Sequence, residues 1–259
     1  TLGSMGEHLA PSVAEWFAKN FTNKNKPIVN AYYQTENGAI IASPTYKQKT
    51  SQVPHGSAGE LASKYLKVNK LYKNKKTELK ILTPWPGCMK SILNGKKEWK
   101  KYWDKSNNFR MFDLATIKKK NIFIHGRTDD VINIRGHRIG SEEIESIVLR
   151  IKEIYECCAI SIVNDLEGHV IYLFVVSKNN NLNNEISKKI VSNFGAFALP
   201  KEIYYISELP KTRSGKILRR LLRSILINPY SKNYGDLSTM LNSKVIYEIK
   251  EKILHNVKN

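Results

Sequence analysis

The stretch from Asn121 to Ser207 switches repeatedly between helical and strand-like hydrophobic spacing, and this alternation narrows the fold more than any other feature of the chain. Residues 141–151, "SEEIESIVLRI", put Ile144, Ile147, Val148 and Ile151 on one helix face. Ser141 reads as the N-cap, and Glu142, Glu143 and Glu145 supply the acids that a helix start favours. "CCAISIV" (157–163) and "HVIYLFVV" (169–176) read as strands. After a low-complexity loop at 179–184 come a helix over 185–194, a strand over 202–207 and a final helix starting near Lys216. The order helix–strand–strand–helix–strand–helix predicts a small α+β unit with its helices against one sheet.

The first half is less regular. "APSVAEWFAKNFT" (10–22) predicts a short amphipathic helix with Pro11 in its first turn. "PIVNAYY" (27–33) and "AIIAS" (39–43) read as strands joined through "QTENG". Residues 44–78 are Lys- and Asn-rich loops and short strands; "ELKILTPWP" (78–86) is a strand ending at proline. "NGKKEWKKYW" (94–103) is a short helix whose Trp99, Tyr102 and Trp103 line a core or groove. "NIFIHGRTDDVINIRGHRIG" (121–140) holds two strand-like runs around "GRTDD", which places a domain boundary between Asp129 and Asp130: residues 1–129 form one domain and residues 130–259 another.

Forty-two Lys and Arg against 23 Asp and Glu give a net charge of +19, which suggests acidic partners. The lysines are scattered and mixed with asparagine, a pattern that fits a solvated surface better than a binding stripe. A basic nucleic-acid-binding protein is the rival reading, but no nucleic-acid motif accompanies the charge, and no nucleic-acid partner is expected. The longest apolar run, "VIYLFVV" (170–176), is strand-sized and no membrane span is expected. Three cysteines without metal-ligand spacing read as reduced core thiols; neighbouring Cys157 and Cys158 on a strand would point to opposite faces. That usage favours an intracellular, cytoplasmic compartment. The opening "TLGSMGEHLAPS" reads like the middle of a domain, so the chain is expected to be a fragment with any targeting signal upstream.

The densest chemistry lies in "LPKTRSGKILRR" (209–220), where Lys216 follows Ser214 and Gly215 between basic flanks. This is not a Walker loop, because no glycine stands five residues before Gly215. Taken in order, "YYQTEN", "GRTDDVINIRGHRI" and "LPKTRSGKILRR" resemble the motifs of the AMP-forming acyl-CoA synthetases, of the adenylate-forming superfamily. "TPWPGCMKSI" and "LPKTRSGKILRRLLR" resemble its acetate- and propionate–CoA ligase branch, and the resemblance runs from about residue 2 to the end.

The resemblance implies the distal part of a large adenylate-forming domain followed by a small, mobile α+β C-terminal lid. Its reaction would join a short carboxylate, acetate before propionate, to AMP from ATP, and then pass the acyl group to coenzyme A. By resemblance Lys216 is the catalytic cation, and an acetyltransferase or deacetylase acting on Lys216 would be a further partner. Gly6, Glu7 and His8 match the adenine-contacting Gly-Glu-Pro stretch, with His8 replacing Pro. Asn30, Ala31, Tyr32, Tyr33, Gln34 and Thr35 match the adenine and α-phosphate segment; Tyr33 also limits acyl-chain length. Glu36 would bind Mg²⁺. Asp113 and Arg127 would hold the ribose, although Phe112 stands where many relatives have glycine. Arg138 would reach ATP phosphates or stabilise the rotated lid. Asp129 would be the hinge. Gly136 would border the pantetheine tunnel, where Arg135 would either add a phosphate contact or narrow the passage. Carbonyls of Leu149, Ile151 and Ile154 would hold a cation. A coenzyme A arginine of the family falls at Val191 and is absent, with Lys188 and Lys189 close by. The family's phosphate-cradling Ser/Thr/Gly loop is nowhere in the 259 residues and is expected upstream, so the fragment alone is expected to be inactive. A degenerate, non-catalytic relative is the remaining alternative.

Overall fold

The computed structural model describes residues 2–6, 9–21, 28–45, 48–49, 52–128, 130–134, 137–164 and 168–258, with the backbone alone for 257–258. Glu7, His8, Asp129, Arg135 and Gly136, all predicted site residues, lie outside the described residues. The chain forms two compact units, Thr1–Asp129 and Asp130–Asn259.

In the first unit, β1 (Gly3–Ser4) pairs in parallel with β2 (Val29–Asn30), and α1 (Pro11–Phe21) lies between them in sequence. β3 (Tyr32–Gln34), β4 (Ala39–Ser43) and β5 (Glu60–Leu61) make one antiparallel sheet. β6 (Thr77–Ile81), β7 (Phe109–Lys118) and β8 (Asn121–Arg127) make another. One core joins them, built on Ile41, Leu79, Ile81, Phe109, Met111 and Ile122. The short helix α2 (Lys96–Lys101) is followed by Tyr102 and Trp103, which pack on this core as expected; the Trp103 ring meets Phe109 edge-on at 5.4 Å.

The second unit is one five-stranded sheet sandwiched between helices. β9 (Val131–Ile134) and β10 (His137–Gly140) are antiparallel partners, so "VINIRGHRIG" supplies two strands rather than one. β11 (Ile154–Asn164) and β12 (Gly168–Ser177) pair antiparallel over their whole length. β13 (Glu202–Tyr205) lies parallel to β12, with α4 (Asn183–Phe194) as the crossover that a parallel pair needs. Strand alternation sorts the core in two: Cys157, Ala159 and Leu173 face α4 and α3 (Ser141–Val148), whereas Cys158, Ile160 and Phe174 face α5 (Arg219–Ile227) and α6 (Val245–Lys258). The two adjacent thiols point to opposite faces, as period-two geometry requires, and Cys88, Cys157 and Cys158 are all buried.

Two expectations need correction. Ser141 is not the N-cap of α3: β10 runs straight into the helix, extended Gly140 takes the cap position, and the Ser141 hydroxyl is buried without a partner. Nor is the helix near Lys216 the last, or as close to it as expected. α5 begins at Arg219, because the preceding residues are held in a tight loop, and α6 follows it. The signal for α6 was present in Val245, Ile246, Ile249 and Ile253, spaced along one helix face and now buried.

Candidate functional site

The "QTENG" segment turns between β3 and β4 as a single 3₁₀ turn, Thr35–Asn37. Asn37 is fully buried beneath it; with its amide oriented to satisfy both ends, the nitrogen donates to the carbonyls of Gln34 at 3.0 Å and Ala39 at 2.8 Å. Gly38 closes the turn at φ +64°, and a Cβ there would lie 2.5 Å from the Gly87 carbonyl oxygen. Only glycine accommodates both the left-handed backbone and that approach. The Met89 N–H donates to the Glu36 carbonyl at 2.7 Å. Thus "TPWPGCM" is the wall against which the 34–38 turn is pinned.

Three predicted residues meet beside this turn. The Tyr32 hydroxyl donates to Asp113 Oδ2 at 2.5 Å, and Gln34 Nε2 donates to the same oxygen at 2.5 Å and to the Met111 carbonyl at 2.7 Å. Asp113 is only 7% exposed, so these donors replace water around its carboxylate. Burial first, and then the Asp113 charge, push the Tyr32 pKa well above the usual phenol value; the hydroxyl therefore remains a donor. Arg127 stands opposite Asp113 in the β7–β8 register, and its charge acts on Tyr32 in the opposite direction. A carboxylate has about four acceptor positions, which suits a vicinal pair of hydroxyls.

Phe112, just before Asp113, adopts φ +54°, the left-handed region that favours glycine. The β7–β8 register shifts between Asp113 and Ala115, a bulge of the kind that re-aims a side chain. The Phe112 ring meets Tyr102 edge-on at 5.1 Å and carries the Arg110 guanidinium 4.6 Å from its centroid. Arg110 is in turn held by Glu78 through bonds of 2.8 and 2.9 Å. Packing against the ring by Tyr102 and Arg110 therefore supports the unusual backbone.

The remaining first-unit residues are spread around this network. Tyr33, displaced from Tyr32 by a register break in β3–β4, is 40% exposed, and Thr35 is exposed. Ala31 is buried, its N–H donating to the Ser4 carbonyl at 2.9 Å; Asn30 Nδ2 donates to the Ser57 carbonyl at 3.0 Å. Gly6 has φ +96° and open space on the side a Cβ would occupy. Glu36 accepts from the Tyr102 hydroxyl at 3.5 Å.

In the second unit, Lys216 is exposed and its main chain is clamped by one residue. The Thr212 N–H donates to the Lys216 carbonyl at 2.9 Å, and the Lys216 N–H donates to Thr212 Oγ1 at 3.1 Å. Gly215, at φ +88° with nothing near its missing Cβ, completes the turn by donating to the Thr212 carbonyl at 2.9 Å. Residues 239–241 brace the loop: Arg213 N–H donates to the Thr239 carbonyl and Leu241 N–H to the Lys211 carbonyl. Lys211 pairs with Glu156 at 2.5 Å. Arg138 is exposed on β10 opposite Asn133. Leu149, Ile151 and Ile154 flank the turn that ends α3, where the Ile151 carbonyl accepts the Ile154 N–H at 3.1 Å. Among the described residues, no group of three or more His, Cys, Asp or Glu could hold a metal ion. None of the described helices is long and apolar enough to cross a membrane.

Sequence reasoning missed the buried ions behind the Lys216 loop. Arg219 binds the Glu145 carboxylate with both terminal nitrogens, at 2.5 and 2.9 Å, and Glu145 Oε1 also accepts the Ala159 N–H at 2.7 Å. Glu142, 8% exposed with Oε2 unpartnered, has its pKa pushed up to about 7, by burial first and by the Glu145 charge second. Glu145 and Arg219 are 74 positions apart, and no local spacing joins them.

The lysine loop and the sheet before it point to a class: residues 143–216 match the AMP-binding enzyme C-terminal domain family, and Lys216 is the last matched residue. The fold is that of the adenylate-forming enzymes. ATP-bound MatB from Rhodopseudomonas palustris superposes with a TM-score of 0.75 over 88% of this chain and 46% of its own, at 18% identity. More particularly, the chain is related to the acetyl-coenzyme A synthetases. It is 33% identical to that of Leptospira biflexa over 266 residues, 96% of this chain and 40% of the relative. To that of Coprinopsis cinerea it is 33% identical over 271 residues, 97% of this chain and 41% of the relative. The chain thus spans about two-fifths of the length of these relatives.

Proposed function

We propose that this chain is the C-terminal portion of an AMP-forming acyl-CoA synthetase that activates a short carboxylate, acetate in preference to propionate. The observation that carries the reading is the buried Asp113 carboxylate, aimed by Tyr32 and Gln34 beside Arg127, in a chain related to acetyl-coenzyme A synthetases along nearly its whole length. In this reading residues 1–129 complete the large AMP-binding domain and residues 130–259 are the lid, pivoting at Asp129.

The chemistry follows from the weakness of a carboxylate as an acyl donor. A carboxylate oxygen attacks the α-phosphorus of ATP, and the bond to pyrophosphate breaks. The coenzyme A sulfur then attacks the acyl carbon, and AMP leaves with the bonding electrons. The first step concentrates negative charge on the carboxylate and α-phosphate, where a fixed cation stabilises the transition state. Lys216, a point charge on a flexible stem presented by an anchored loop, has that role. Asp113 and Arg127 hold the ribose; the backbone of 30–35 and the 6–8 stretch meet adenine and the α-phosphate; Arg138 meets the phosphates or the turned lid. Arg135 and Gly136 serve the coenzyme A step. Glu36 would hold Mg²⁺, a hard cation that takes carboxylate and phosphate oxygens and would supply charge neutralisation at the phosphates. Carbonyls at 149, 151 and 154 offer neutral oxygens to a second cation. An intracellular setting suits an enzyme of ATP and coenzyme A, and acetylation of Lys216 would remove the charge that the first step uses.

The test separates the half-reactions in the full-length enzyme. Lys216→Ala is expected to lower acetate-dependent pyrophosphate exchange roughly 10²–10³-fold while thioester formation from preformed acetyl-adenylate stays nearly unchanged. Equal loss in both steps would make Lys216 structural. Phe112 at positive φ beside Asp113 favours one other reading, a non-catalytic relative; equilibrium dialysis showing no ATP or AMP binding by the full-length protein would support it.

A further inference from the structure

The lysine loop leads directly into α5, and α5 carries two arginines four residues apart on one side of the helix, flanking the buried Leu222. Arg219, its first residue, is fixed to Glu145 of α3 as described. Arg223, one turn later, reaches the very start of the second unit: Nη2 donates to Asp130 Oδ1 at 3.0 Å, and Nε donates to the Ser161 carbonyl of β11 at 3.2 Å. The Asp130 side chain is only 15% exposed, and it lies close enough to Glu142 for its charge to act on that group. Without Arg223, Asp130 would keep its charge near Glu142 with less compensation, and would be better placed in water than against the sheet. The arginine therefore does more than decorate a surface: it spans from the central sheet to the residue that adjoins position 129.

We propose that Arg223 is a positioning residue which anchors Asp130 to the second unit, so that the rotation between half-reactions is confined to Asp129. The inference rests on the reading above, in which Asp129 is the pivot. α5 then links the two ends of the device. Its first turn, fixed to Glu145, directly follows the loop that presents Lys216, and its second turn holds the entry to the lid. A lid whose entry is fixed delivers Lys216, or the coenzyme A face, to a defined place. A lid with a loose entry reaches both positions less often.

Two measurements test this. In the present chain, hydrogen exchange of the peptide covering 128–134 is compared among wild type, Arg223→Met, Asp130→Asn and Arg223→Lys. Exchange about tenfold faster in the first two variants is expected, with protection largely kept in Arg223→Lys and unchanged in β11 and β12. In the full-length enzyme, Arg223→Met is expected to slow thioester formation from preformed acyl-adenylate about tenfold, with KM for ATP in pyrophosphate exchange unchanged and Arg223→Lys recovering most of the rate. A merely structural arginine would not split the half-reactions or be rescued by lysine. Unchanged exchange at 128–134 in Arg223→Met, or half-reaction rates that fall together, overturns the proposal. Asp129→Pro separates the two levels: if it slows the coenzyme A step while Arg223→Met does not, the anchor alone fails; if it changes neither half-reaction, the pivot fails and the anchor with it.

Discussion

The Asp113 network of the first unit and the Lys216 loop of the second are built in opposite ways. Around Asp113 the carboxylate is buried and the half-buried Tyr32 and Gln34 side chains donate to it, with Gln34 held further by the Met111 carbonyl. Around Lys216 the side chain is exposed and only the backbone is tied down, by Thr212 and residues 239–241. A group that must grip a ligand of fixed shape gains by being preorganised, because ordering is complete before binding. A group that serves one half-reaction and leaves for the other needs reach, with an anchored base. Further inside, Glu145 with Arg219 fixes the start of α5, just beyond Lys216 in the chain.

The largest effect expected on that comparison concerns the inner ions. The folded second unit raises the Glu142 pKa from 4.5 to about 7. Below pH 4.5 the carboxyl is protonated folded or unfolded, so the protonated state's full stability is present. As pH rises from 4.5 towards 7, the unfolded chain releases the proton and the folded chain keeps it, so stability falls. At 1.36 kcal/mol per pKa unit the loss is on the order of 3 kcal/mol, complete once pH passes the folded value. Urea unfolding of wild type and Glu142→Gln at pH 4.5, 6 and 7.5 measures it; the glutamine variant should lose most of the slope, and equal slopes would assign it to other groups.

A smaller loss is expected where the organisation is already complete. Asp113→Asn keeps the shape but removes the charge, and charge-assisted hydrogen bonds contribute roughly 1.5–3 kcal/mol. AMP affinity of the full-length enzyme, by calorimetry, should therefore weaken about 10–100-fold, and Tyr32→Phe, which removes one supporting donor, should weaken it less. A Tyr32→Phe effect as large as that of Asp113→Asn would mean that the phenol itself touches the ligand.

What the sequence disclosed follows the same division. Period-two alternation is enough to send Cys157 and Cys158 to opposite faces, and the motifs name Tyr32, Gln34, Asp113 and Lys216 as the residues to test. Nothing local reveals that Tyr32 and Gln34 converge on one oxygen of Asp113, because that contact depends on how two sheets pack. Nor can spacing reveal Glu145 with Arg219, or Asp130 with Arg223. The expected Ser141 cap fails because a hydroxyl before an apolar helix is only a local signal, and the strand running directly into α3 overrides it.

Tyr33 sharpens the contrast within one strand. Tyr32 turns inward to Asp113, while Tyr33, after the register break, is partly exposed. If Tyr33 floors the acyl pocket, Tyr33→Gly opens room for two or three methylenes, at roughly 0.8 kcal/mol each. Preference should then move by about 1.5–2.5 kcal/mol towards butyrate or hexanoate, read as kcat/KM over a series of acids. An unmoved order of preference would remove Tyr33 from the pocket and with it the main support for acetate.

The smallest effect belongs to Phe112, where two terms nearly cancel. A non-glycine residue at φ +54° carries strain of about 1 kcal/mol, which glycine would relieve. The ring's edge-on contact with Tyr102 and the Arg110 guanidinium over its face contribute roughly 0.5–1.5 kcal/mol each, which glycine would forfeit. Glycine also adds freedom to the unfolded chain. Phe112→Gly should therefore destabilise the first unit by about 1 kcal/mol, and Phe112→Ala by more, since alanine keeps the strain and loses the ring. Thermal unfolding of the three proteins decides the order. If glycine proves the most stable, strain outweighs the ring, and the bulge that aims Asp113 is held by the backbone rather than by the aromatic and cationic groups packed against it.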